Sequence, residues 1–64
     1  MTDDATELAN LLRDLYLGLE DKGLQQSSDY GLARGYEDQL GSGQNMVPDL
    51  VQRAQALLRR HGFK

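Results

Sequence analysis

Residues 4–24, DATELANLLRDLYLGLEDKGL, hold seven of the chain's twelve leucines, and their spacing decides the fold. At about 100° per residue, Ala5, Leu8, Leu12, Leu15 and Leu19 fall on one side of a helix, with Leu11 on one flank and Ala9 and Tyr16 on the other. The stripe is about 160° wide, which makes it a core face and not the narrow seam of a coiled coil. Asp4 with Glu7 has the spacing of a capping box, and Asp3, Asp4 and Glu7 complement the positive helix end. Lys22-Gly23-Leu24 reads as a Schellman stop, with Gly23 left-handed and Leu24 folding back onto Leu19. Gly18 costs this helix about 1 kcal/mol relative to alanine and is read as a place where another helix crosses closely.

One leucine breaks the stripe. Leu17 points away from the core, among Asn10, Arg13, Asp14, Glu20 and Asp21. It is either a lone exposed leucine or the apolar centre of an acidic surface, with Asp14 and Asp21, that faces a partner.

Sixty-four residues predict one domain over 1–64, and a chain of that size buries only about 60% of the surface it exposes when unfolded. No cysteine is present to staple it. Self-association is the remaining common way to enlarge such a core, so a homodimer is expected. No apolar run reaches the roughly 18 residues of a membrane span, and the acidic N-terminus lacks the features of a signal peptide, so a cytoplasmic protein with no membrane partner is expected. The net charge of −3 is unevenly spread. Residues 1–30 carry seven acids and two bases (−5), residues 31–64 three acids and five bases (+2). That asymmetry is enough to orient helix packing or a pairing of two copies, and too weak to steer strongly onto nucleic acid.

Ser27 or Ser28 can cap a second helix, about 29–40, with Asp29 in its first turn. Leu32, Ala33, Tyr36 and Leu40 share its apolar face, Arg34 and Asp38 make an i,i+4 pair, and Tyr30 lies away from the apolar stripe. Gly31 and Gly35 each cost roughly 1 kcal/mol of helix propensity and leave this helix the weakest of the three. Their shared side invites close packing within the fold or a partner's backbone. Gly41-Ser42-Gly43-Gln44-Asn45 reads as a loop, and Pro48 suits the first position of a third helix, about 48–61. Leu50, Val51, Ala54, Leu57 and Leu58 form its buried face. Arg59, Arg60 and His61 complement its negative end, and Gly62-Phe63 repeats the stop seen at Gly23-Leu24. The chain is therefore read as all-α: a three-helix bundle, or a helical hairpin completed by dimerisation.

Catalysis needs a nucleophile or base with an orienting partner, and the chain offers one histidine and no cysteine. His61 is read as a helix-end histidine that interacts with the dipole. The adjacent acids Glu20/Asp21 and Glu37/Asp38 diverge by about 100° on a helix and are read as solvated faces. No phosphate-cradling loop, metal-ligand cluster or cofactor signature is present.

The reading is a small non-enzymatic protein-interaction module, a regulator, adaptor or inhibitor, that self-associates. Leu17, Asp14, Asp21, Tyr30, Gly31 and Gly35 are its candidate contact residues. A second reading is a nucleic-acid-binding regulator. Tyr36, Leu40, Gly41, Val47 and Leu50 resemble the spacing of a helix-turn-helix, with Arg53, Arg59, Arg60 and Lys64 as the phosphate-facing bases. Glu37 occupies a place where that motif wants a small residue, and Asp49 opens the would-be reading helix.

Overall fold

The computed structural model describes residues 4–41 and 48–63. Three helices account for it: α1 (Asp4–Asp21), α2 (Ser28–Gly41) and α3 (Pro48–Arg60). The boundaries agree with the sequence reading to within a residue or two, and α2 continues through Gly41, where a loop was expected to begin. Most of that expected loop, Val47 and Lys64 lie outside the described residues.

Each boundary has a local cause. Asp4 already belongs to α1, so it and Glu7 share the first turn, where their charge meets the helix dipole. Gly23 at φ 78° donates to the carbonyl of Glu20, and Leu24 donates to that of Leu19 at 2.9 Å. The second stop repeats the pattern: Gly62 at φ 87° donates to Arg59 and Phe63 to Leu58. Ser27 caps α2, its hydroxyl accepting the Tyr30 N–H at 3.2 Å.

Side-chain pairs define how the helices run. Glu20 meets Tyr30 and Arg13 meets Glu37, so rising numbers on α2 match falling numbers on α1, and the two are antiparallel. Arg60 and His61 at the end of α3 reach Asp29 at the start of α2, so α3 is antiparallel to α2 and parallel to α1. The core is aliphatic. Each helix contributes one residue wholly removed from solvent, Leu12, Ala33 and Ala54, and around them pack Leu8, Ala9, Leu15, Leu19, Leu40, Leu50, Leu57 and Leu58. Small residues at the centre of α2 and α3 leave room for the large one on α1. α1 and α2 form the more extensive pairing, and α3 touches each of them over a shorter stretch.

Four expectations are corrected. Leu32 is 42% exposed and so does not belong to the α2 core face. In its place Tyr30, expected away from the stripe, lies half-buried against the core. The reason is rotation: α2 turns towards α1 so that Tyr30 and Glu37 can pair with residues of α1. A side chain added at Gly18, Gly31 or Gly35 would meet nothing within 4 Å, so these glycines mark no close helix crossing within the fold. Leu24 makes the backbone bond of the Schellman motif but remains 46% exposed.

Candidate functional site

Three surfaces of this scaffold carry features beyond packing. The first is the outer face of α1. Leu17 is 48% exposed, opposite the core stripe, with Asp14 and Asp21 exposed beside it. A leucine four residues after Arg13 and three before Glu20 lies next to both on the helix surface, and those two anchor the next feature.

Along the edge between α1 and α2 runs a network that no local spacing announces. The Tyr16 hydroxyl donates to Glu37 Oε1 at 3.0 Å, and Arg13 Nε approaches the same oxygen at 3.4 Å. The Tyr16 and Tyr30 rings meet edge to face, with centroids 5.7 Å apart. Tyr30 donates to Glu20 Oε2 at 2.9 Å. Arg34, expected to pair with Asp38, instead lays its guanidinium over both rings, 5.5 Å from the Tyr16 centroid and 5.8 Å from that of Tyr30. Burial, reinforced by the hydrogen bond to Glu37, raises the Tyr16 phenol above its ordinary value. The hydrogen bond and charge of Glu37 raise the Arg13 guanidinium. Tyr30, a candidate contact residue, is thus partly occupied inside the fold, whereas Gly31 is exposed and Gly35 half-exposed on the outer side of α2.

The third surface is an open groove of ≈ 500 Å³ between the first half of α1 and α3. Leu8, Leu11, Val51 and Leu58 supply its apolar lining; Asp4 and Glu7 stand on the α1 wall, Gln55 and Arg59 on the α3 wall. Leu11 and Val51 are only partly buried, so the apolar floor is incompletely covered by the chain itself.

The described basic residues of α3 have separate partners. Arg53 pairs with Asp49 at 3.1 Å, Arg60 with Asp29 at 3.1 Å, and Arg59 faces the groove. Arg53 and Arg60, seven residues apart, lie within about 20° of each other around α3, and Arg59 is turned about 100° from Arg60 towards the groove. Lys64 lies outside the described residues. Of the helix-turn-helix positions, Leu40 and Leu50 are core, and Tyr36 packs at its border.

His61 has a more definite role than its position at a helix end suggested: its Nε2 lies 2.8 Å from Asp29 Oδ2. Among the described residues no group of three histidine, cysteine or acidic side chains is placed to hold a metal ion. Among the described residues, too, no helix is long and apolar enough to cross a membrane.

The networks at Glu37 and at Asp29 were not anticipated, since their members stand 21 to 32 positions apart in the chain. A signal was present only as residue type: tyrosines and acids on the flanks of the first two helices. No protein family, curated protein or solved structure matches the chain.

Proposed function

We propose that this protein is a non-enzymatic helical interaction module, which acts as a regulator, adaptor or inhibitor by binding another protein, and that it also self-associates. The observation that carries the first half is Leu17, a large apolar side chain that stands 48% exposed on the acidic face of α1, outside the buried core. An apolar anchor ringed by charge is the pattern of an interface centre with a polar rim. The partner it suits offers an apolar pocket with basic surroundings. The second half is supported by the partly uncovered apolar floor between α1 and α3 and by a small core whose buried side chains, among the described residues, are leucines and alanines.

The test compares two baits. A partner retained by the wild-type chain from the native host is expected to be lost with Leu17→Asp while helicity and melting temperature hold. Equal retention by both baits would refute Leu17 as the anchor.

A further inference from the structure

Beside Leu17 runs a row of acids. Glu7, Asp14 and Asp21 recur every seventh residue of α1 and turn by only about 20° per step, so they form a nearly straight line with about 10.5 Å from one acid to the next. All three are exposed, and among the described residues their side chains have no ion-pair or hydrogen-bond partner. Leu17 stands three residues after Asp14 and four before Asp21, next to both on the helix surface. Towards α2 the charges are already engaged: Glu20 accepts the Tyr30 hydroxyl, and Arg13 is bound to Glu37. The free charge around Leu17 is therefore negative.

Two of these placements work against the chain's own fold. Asp21 lies in the last turn of α1, where the negative helix end favours a base, and that turn holds none. Glu20 shares the drawback but gains the bond from Tyr30, whereas Asp21 has no such return. Leu17 keeps a large apolar side chain in water. A cationic, partly apolar neighbour along this line relieves both.

We infer that the partner in the proposed function presents a basic amphipathic α-helix, laid along the outer face of α1 with lysines or arginines against Glu7, Asp14 and Asp21 and an apolar contact over Leu17. The inference rests on the Leu17 reading and names the chemistry of what covers it. The interval of the row selects a helix, because a helix aligned with α1 repeats its side chains on one line at the same spacing. An extended segment returns to one side about every 6.7 Å, so it meets the outer two acids and stays out of step with the middle one. Nucleic acid and anionic lipid carry the sign of the row and are repelled. A second copy is poorly suited, since its own bases at that spacing, Arg53 and Arg60, are held by Asp49 and Asp29.

The probe is a labelled synthetic amphipathic peptide of about three heptads, with a lysine at every seventh position and leucines between them. A control peptide has the same composition with its lysines shuffled out of that register. Fluorescence anisotropy with the full chain should show the first peptide binding. Its dissociation constant should rise about tenfold or more in about 0.5 M salt, with Asp14→Lys/Asp21→Lys and with Leu17→Asp, and the shuffled peptide should be weaker by a similar factor. The melting temperature of Asp14→Lys/Asp21→Lys should hold or rise, since the change at 21 suits the helix end, so its lost binding is not unfolding.

Equal binding of the two peptides, or binding that Asp14→Lys/Asp21→Lys leaves intact, overturns the row as a helix dock. If neither peptide binds while a host partner is still lost on Leu17→Asp, the basic helix falls and Leu17 stands as the anchor. If Leu17→Asp alters neither capture nor peptide binding, both fall.

Discussion

His61 Nε2 lies 2.8 Å from Asp29 Oδ2, across thirty-two positions of chain, and the other oxygen of the same carboxylate holds Arg60 at 3.1 Å. One acid in the first turn of α2 therefore fastens the end of α3 and also meets the positive end of its own helix. Because α3 packs over a shorter stretch than the α1–α2 pair, this clasp matters more than its exposure suggests. Asp29→Ala should cost about 1 kcal/mol, summed from the partly exposed ion pair with Arg60, the hydrogen bond with His61 and the dipole. For a domain of this size that lowers the melting temperature by roughly 4–8 °C. A thermal melt followed by circular dichroism reads it, and an unchanged midpoint would show the clasp to be energetically idle.

Leu12 and Leu17 lie five residues apart on one helix, and the chain treats them oppositely. Leu12 is fully buried, so Leu12→Ala should cost about 2–5 kcal/mol, enough to unfold much of a domain this small. Leu17→Asp should stay within about 0.5 kcal/mol of wild type. Urea titration compares them, and a large loss for Leu17→Asp would mean that this leucine is core in the native assembly.

Gly31 and Gly35 have open space where a side chain would stand. Alanine at either should add about 0.8–1 kcal/mol from helix propensity. Gly23→Ala should do the reverse, since φ 78° is a left-handed conformation that disfavours a side chain. If Gly31→Ala and Gly35→Ala stabilise the fold yet weaken capture of the partner, the bare outer side of α2 belongs to the interface. Destabilisation by either would contradict the open environment described above.

Tyr16 should ionise above the ordinary tyrosine value of 10.0, because burial first, and then its hydrogen bond to Glu37, favour the neutral phenol. A pKa raised in the folded state stabilises the fold below the unfolded value, and that contribution fades as pH rises through the folded one. Alkaline absorbance titration should therefore show a late-titrating tyrosine that is missing in Tyr16→Phe. Glu37→Gln should bring that ionisation earlier, and an identical curve for Glu37→Gln would remove Glu37 as a cause.

Local order was legible because its causes are local. The stripe of Leu8, Leu12, Leu15 and Leu19, the glycine stops at Gly23 and Gly62, the serine ahead of α2 and Pro48 at the start of α3 each act through neighbours within one or two turns, and all are found in those roles. The outward direction of Leu17 followed from the same periodicity. What the tertiary structure alone decided is how far α2 rotates about its own axis. That rotation exposes Leu32, draws Tyr30 and Glu37 onto α1, and turns Arg34 from Asp38 to the two tyrosine rings. A helix with an apolar stripe can settle at several neighbouring rotations of similar burial. The choice among them rests on pairs such as Tyr16 with Glu37 and Asp29 with His61, which are distant in the chain and exist only once the helices have met.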